Sequence, residues 1–414
     1  MLYDNALLSV AYLEAYQATA KKRYLDAVKQ VFAYVLRNMT SPEGAFFSAE
    51  DADSEGVEGK FYLWSADEVA KVLGREDGER FCRKYGITFE GNLEGTNMNI
   101  PNLINGGLEE DEKAFFEQCR QKLFAYRERR IHPYKDDKIL TAWNGLMIAA
   151  LAIGGRVAGE DGYIQAAERA AGFILSRLVR DDGRLLARYR DGEAAYLGYA
   201  EDYAFFIWGL IELYESTYKA EYLSRALEFN DDLLELFWDE KHGGLFLYGS
   251  DAEQLITRPK EVYDGALPSG NSAAAMNFLK LSRLAGRHDL EDRAHQQFKN
   301  FWSIIEGMGR SHAFLLAACL FAVSPAKEVV IVEGVDGMET AAMIKAVRNE
   351  FRPFVLSVLY SDLHPDLQFV APFVKDYAAV DGKATAYVCE NRRCKPPITD
   401  VTELEAVLAC RQWK

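Results

Sequence analysis

The stretch Ala204-Phe205-Phe206-Ile207-Trp208-Gly209-Leu210-Ile211 opens a helical run that reaches Tyr214 with hardly a polar face. A helix that is apolar all round is buried on all sides. The run that follows, Tyr222 to Phe237, differs: Arg225, Glu228, Asp231, Asp232 and Glu235 give it a solvated side. One helix is predicted inside and the next outside, and this alternation decides the fold.

It recurs on either side. Ala6 to Ala18 is apolar through Leu7, Leu8, Val10, Tyr12, Leu13 and Tyr16, and Arg23 to Arg37 sets Tyr24, Val28, Val31, Phe32 and Val35 on one stripe. Leu146 to Ile153 is followed by an amphipathic Tyr163 to Leu178, and Ser272 to Leu284 by a charged Leu290 to Ile305. A last apolar helix, Ala313 to Val323, has no outer helix after it. The loops Glu43-Gly44-Ala45-Phe46-Phe47, Asp182-Gly183-Arg184-Leu185-Leu186 and His242-Gly243-Gly244-Leu245-Phe246 each suggest a short strand or hairpin.

Stacked units that each bury one apolar helix must cluster those helices. The reading is mainly α: an incomplete (α/α)6 toroid over residues 1–324, preferred to an open solenoid, whose inner helices would keep a wet concave face. Residues 66–130 interrupt the rhythm with short helices at Ala66–Leu73 and Asp77–Tyr85 and a longer one at Asp111–Arg130. After Pro325, strands at 329–332, 355–360 and 384–388 alternate with helices at 339–349 and 402–410. They make a small C-terminal α/β appendage, residues 325–414.

The 414 residues carry 48 Lys and Arg against 63 Asp and Glu, a net charge of −15. That surface argues against nucleic acid or an anionic membrane as partner. No apolar run is long enough to span a bilayer. The start, Met1-Leu2-Tyr3-Asp4-Asn5, lacks a secretory pattern. The six Cys contain no CxxC pair and fit a reducing, cytoplasmic setting better than a disulfide framework.

In a ring of parallel inner helices all N-termini open on one face, where their dipoles favour anionic groups or ligand oxygens. Tyr3, Asp4, Asn5, Trp143, Asn144, Glu201, Asp202, Tyr203, Ser269, Asn271 and His312 begin those helices. Asp, Asn and Ser there are also what N-caps require. The aromatic neighbours Tyr3, Trp143 and Tyr203 add the faces that suit a sugar-like ligand. Asp264, in the turn before Ser269, is read as a second carboxylate near the mouth. His312 is either a general base or a satisfied core histidine. Asp51 and Asp53 belong to the acidic loop at 48–56, an exposed turn or a rim loop; position twelve is Tyr62, which disfavours calcium. Lys138 lies in a polar loop that either supplies a Lys–Asp pair to the mouth or is a solvated charge run. Cys389 and Cys394 lack the further ligands zinc needs. No metal or cofactor is expected.

Met1-Leu2-Tyr3-Asp4-Asn5-Ala6, the loop from Ser48 to Gly56, the run from Lys135 to Leu146, Pro268-Ser269-Gly270-Asn271-Ser272 and the ending around Cys389 and Cys394-Lys395-Pro396-Pro397 resemble the YyaL-like family, the spermatogenesis-associated thioredoxin-domain-containing proteins. The resemblance covers essentially the whole chain. It implies a toroid of the six-hairpin glycosidase and sugar-epimerase type, here without the thioredoxin-like domain and the first hairpin. An incomplete ring is then expected, with an exposed apolar seam or a homo-oligomeric contact covering it.

Three functions follow as expectations. A glycosidase-like enzyme would use two carboxylates, Asp202 and Asp264, with Asp4 or Glu201 as substitutes. An epimerase of the N-acylglucosamine 2-epimerase kind would want two bases, and His312 is alone unless His132 reaches in. The alternative is a non-catalytic binding or scaffold module of a thioredoxin-domain-containing protein.

Overall fold

In the computed structural model the helices are, in chain order, α1 Leu2–Thr19, α2 Lys22–Asn38, α3 Ala66–Leu73, α4 Arg75–Lys84, α5 Lys113–Arg127, α6 Thr141–Ala158, α7 Asp161–Arg177, α8 Ala200–Thr217, α9 Ala220–Phe237, α10 Gly270–Ala285, α11 His288–Gly307, α12 Ala313–Val323, α13 Gly337–Arg348, α14 Leu367–Val370 and α15 Val401–Ala409. The strands are β1 Ala49–Glu50, β2 Asp53–Ser54, β3 Val57–Glu58, β4 Lys135–Asp136, β5 Ile139–Leu140, β6 Leu186–Arg190, β7 Glu193–Leu197, β8 Lys327–Val332, β9 Val355–Tyr360, β10 Thr385–Glu390 and β11 Arg393–Cys394. The structure describes residues 1–253, 255–361, 365–390 and 393–409. Cys410, where the sequence reading ends the last helix, lies outside them.

The chain forms two compact units, residues 1–48 with 137–414, and residues 49–136. In the first, α1, α6, α8, α10 and α12 pack side by side in that order, and α2, α7, α9 and α11 each back the inner helix before them. This is the incomplete α/α toroid. The inner helices α6 and α8 bury almost every residue, as their all-round apolar sequences require. They also approach closely: a Cβ on Gly145 would lie 2.5 Å from the Phe205 carbonyl oxygen, and one on Gly209 2.7 Å from the Gly145 oxygen. Glycine at both positions lets the two backbones touch.

Each Gly-containing loop after an outer helix closes with a single antiparallel bridge, Thr40 to Phe46, Val179 to Leu185 and Trp238 to Leu245. In the second of them the chain continues into the β6–β7 hairpin, which extends β5.

The residues from 325 onward form a sheet of order β11-β10-β8-β9, with β8 and β9 parallel and the other pairs antiparallel. Its residues Val330, Val332, Leu356, Val358 and Tyr360 join the core of the helical ring, while α13 and α15 cover a smaller core on the same sheet. The appendage meets the C-terminal ends of the inner helices. Arg348 donates to the Glu215 carbonyl, an end-of-helix acceptor on α8, and Gln17 donates to the Arg348 carbonyl at 3.2 Å. Tyr218 and Ser357 hydroxyls are 2.7 Å apart.

At the end of the row of inner helices, α12 buries Leu315, Ala318 and Phe321 only, leaving Leu316 36%, Leu320 44% and Val323 79% exposed. It packs chiefly on α10, so one face stays open. One expectation needs correction: the cysteines fit a reducing setting better than a disulfide framework in the sequence, yet Cys389 and Cys394 are joined in a disulfide. The antiparallel register of β10 and β11 sets them opposite each other, a pairing that their spacing alone did not reveal.

The second unit has its own core of Trp64, Val69, Phe81, Tyr85, Phe116 and Leu123, drawn from α3, α4 and α5. Asn99 stitches its loops together, donating to the Trp64 and Thr88 carbonyls at 3.2 and 3.0 Å.

Candidate functional site: the N-terminal rim of the inner helices

The inner helices are parallel, and their starts share one end of the first unit. Tyr3 of α1 meets Trp143 of α6 edge to face with centroids 4.8 Å apart. The Ala142 N–H at the start of α6 donates to Asp202 of α8 at 3.0 Å. Gly270, opening α10, lies against the first turn of α8, where a Cβ would stand 3.0 Å from the Glu201 nitrogen. At the opposite end, charges from three of the same helices converge: Glu212 binds Arg156 at 2.6 Å and Lys280 at 2.7 Å.

Most polar residues of the rim hold neighbouring backbone. Asn144 accepts from the Phe46 N–H at 2.8 Å and donates to the Phe46 and Leu140 carbonyls, both at 2.9 Å. Asn271 repeats the device on Leu245, accepting its N–H at 2.7 Å and donating to its carbonyl at 2.9 Å. Each amide thus mimics a strand partner for the bridge residue of the preceding loop. In the intervening repeat the Tyr203 hydroxyl takes this place, accepting from the Leu185 N–H at 3.1 Å and from Arg184 at 3.0 Å. Ser269 caps α10 through the Ser272 N–H.

The two candidate catalytic aspartates are bound likewise. Asp202 accepts from Ala142 with one oxygen and from the Tyr199 N–H with the other, at 2.8 Å, and burial pushes its carboxyl up to about 7. Asp264 accepts from the Ser269 N–H at 2.9 Å with one oxygen and from the Phe314 and Leu315 N–H groups at 2.8 and 3.1 Å with the other, capping α12. His312 is buried, and its Nδ1 donates to the Val262 carbonyl at 2.8 Å. Asp4 lies 3.6 Å from the Met1 amino group, and Asn5 donates to the Met1 carbonyl at 2.7 Å. Lys138 is half-buried in the turn before β5. Asp51 and Asp53 belong to the second unit, where Asp51 accepts the Asp53 N–H at 3.4 Å. Among the described residues no group of three or more His, Cys, Asp or Glu is placed to hold a metal ion, and no helix is long and apolar enough to cross a membrane.

Glu201 is placed differently. It lines a cleft of about 210 Å³ between the starts of α8 and α10 and the strap of residues 259–269, together with Phe246, Glu261, Tyr263, Ser269 and Asn271. Among the described residues neither the Glu201 nor the Glu261 carboxylate has a hydrogen bond or ion pair, and no Lys or Arg lines the cleft. Burial, with the Glu261 charge adding to it, pushes the Glu201 carboxyl above the usual range. Two further contacts shape the strap: Asn271 donates to the Glu261 carbonyl at 2.7 Å, and His312 holds Val262. Glu261, Tyr263 and Phe246 were not singled out in the sequence. Their nearest signal was the turn around Asp264, five residues before Ser269, which brings the strap to the helix start.

No family model matches the chain. It is similar to spermatogenesis-associated protein 20 of Homo sapiens, 33% identical over 99% of this chain and 57% of that protein, and to the protein of that name in Rattus norvegicus, 32% identical over the same shares. An uncharacterized protein of Caenorhabditis elegans is 26% identical over 98% of this chain and 60% of its own length. Among solved structures, it is similar to a GH76 alpha-mannanase of Bacteroides thetaiotaomicron, with TM-score 0.47 and 14% identity over 77% of this chain and 67% of that one. It is also similar to a D-mannose isomerase, with TM-score 0.40 and 14% identity over 73% and 75%. The chain thus spans somewhat over half the length of the curated relatives it matches.

Proposed function

We propose that the rim cleft binds a small sugar-like ligand and that Glu201 and Glu261 are its working carboxylates. The observation that carries this reading is the pair of unpartnered acids facing one cavity beside Tyr263 and Phe246. Aromatic faces take the apolar side of a sugar ring, and carboxylates take its hydroxyls. The cleft is smaller than the roughly 300–1,000 Å³ of sites for drug-sized ligands, so a single ring is the fitting size. Burial and the neighbouring Glu261 charge raise the Glu201 carboxyl, the direction that suits a general acid, and a second carboxylate in the same cleft suits the complementary base or nucleophile, the division of labour of glycoside hydrolysis.

A second reading has its own support. Asp202 and Asp264 give both oxygens to backbone N–H groups, which favours a non-catalytic module, one part of a longer thioredoxin-domain-containing protein, that holds a ligand without transforming it.

The test is a thermal-shift screen of monosaccharides, disaccharides and sugar acids on the unaltered chain and on Glu201→Gln and Glu261→Gln. A ligand at one hundred times its Kd adds about 2.7 kcal/mol. A midpoint rise that both substitutions abolish supports the site, and a flat response across the panel removes it. Turnover of the ligand that shifts the midpoint then separates the two readings.

A further inference from the structure

We propose that Cys389 and Cys394 form a reversible dithiol–disulfide site, entered by an external thiol at Cys394 and assisted by the Tyr377 hydroxyl. The site is independent of the rim cleft. Its two cysteines face each other across β10 and β11 and are bonded. β11 is a two-residue strand at the outer position of the sheet, so the bond sits on an edge.

Burial distinguishes the sulfurs. Cys389 is 3% exposed, whereas Cys394 lies on an exposed strand. An incoming thiolate therefore meets the Cys394 sulfur. Its attack forms a mixed disulfide at Cys394, breaks the Cys389–Cys394 bond and sends the electron pair to the Cys389 sulfur. Tyr377 Oη stands 3.6 Å from that sulfur and 3.4 Å from the sulfur of Cys394. Burial raises the Tyr377 phenol, so it keeps its proton at neutral pH and is a donor to the departing thiolate, which then takes a proton from solvent. A second external thiol resolves the mixed disulfide and frees Cys394. The sum is one disulfide and two thiols converted to two thiols on this chain and one external disulfide.

The other described cysteines do not compete. Burial pushes the thiols of Cys82 and Cys119 up, and that of Cys319 to about 11, so their thiolate fractions at neutral pH are small.

The experiment equilibrates the native full chain in mixtures of reduced and oxidised dithiothreitol, quenches by alkylation and reads each cysteine by mass spectrometry. Cys389 and Cys394 are expected to change state together, in both directions, while Cys82, Cys119 and Cys319 remain thiols. In Cys389→Ser, the remaining Cys394 is expected to take a glutathione adduct from oxidised glutathione at least tenfold faster than Cys389 does in Cys394→Ser. Tyr377→Phe is expected to slow reduction about fivefold, the loss of one hydrogen bond to the leaving group, at an unchanged thermal midpoint. A pair that fails to reoxidise, or that is reduced only in denaturant, overturns the site. An unchanged rate in Tyr377→Phe, or equal adduct rates in the two serine variants, overturns the assigned roles.

Discussion

Replacing Asn271 by Ala tests whether the rim is held together by side chains that imitate strand partners. Asn271 is buried, and its amide makes four hydrogen bonds: from the Leu245 N–H and Gln297 Nε2 to its oxygen, and from its nitrogen to the Leu245 and Glu261 carbonyls. Leu245 and Gln297 are themselves fully buried, so water does not replace what is removed. A net hydrogen bond is worth about 1 kcal/mol, and a buried group left without a partner costs about 1–3 kcal/mol. The expected loss is therefore about 3–4 kcal/mol, read by urea unfolding followed by tryptophan fluorescence. Asn271→Asp keeps the two accepted bonds but turns an oxygen toward two carbonyl oxygens, and should be no better than Ala. The equivalent Asn144→Ala removes three bonds and should cost about 2–3 kcal/mol. The two sites serve different loops, so the double variant should lose the sum to within about 0.5 kcal/mol. An Asn271→Ala loss below about 1 kcal/mol, or an Asp variant as stable as the original, would refute this reasoning.

Glu212 is held below the ordinary carboxylate range by Lys280 and Arg156, against the burial that opposes it. Its stabilisation is complete above the unfolded-state carboxylate pKa and disappears as pH falls from about 4.5 toward 2. Glu212→Gln should cost about 3 kcal/mol at pH 7, since Arg156 loses its carboxylate partner and Lys280 keeps only Glu215 at 3.4 Å, and should flatten that acid limb in pH-dependent unfolding. Gly145→Val forces a side chain onto the Phe205 carbonyl and should lower stability by about 3 kcal/mol or more, read as a fall in expression and in thermal midpoint. Glu201, raised by burial, works in the opposite sense to Glu212: its ionised form is disfavoured in the fold, so Glu201→Gln should be the more stable protein at neutral pH. That advantage should vanish as pH falls into the ordinary carboxylate range, measured as midpoint against pH.

The alternation of dry and wet helices, the break at residues 66–130 and the change to strands after Pro325 were legible because each rests on local periodicity. Helices Ala66–Leu73 and Ala313–Val323 and the strand Val355–Tyr360 have the bounds the pattern gives. Periodicity says which face is apolar, however, and not whether a neighbour covers it, which is why α12 carries an exposed stripe. The same limit applies at the rim. An Asn or Asp at a helix start reads alike whether it binds a ligand or a backbone amide, and only the packed loops show that Asn144, Asn271, Asp202 and Asp264 hold backbone. Glu201 keeps its carboxylate unpaired because the strap from Pro259 to Ser269 brings Glu261, and no cation, to its side.

Chain composition and helical period therefore determined the layered helical architecture and its parallel inner helices, since burying an apolar stripe is a requirement each segment carries within itself. Tertiary structure decided the pairing of Glu201 with Glu261, the Glu212 charge cluster and the Cys389–Cys394 bond. In each the partners come from separate elements, so the interaction depends on a distance between segments, and no local pattern encodes that distance.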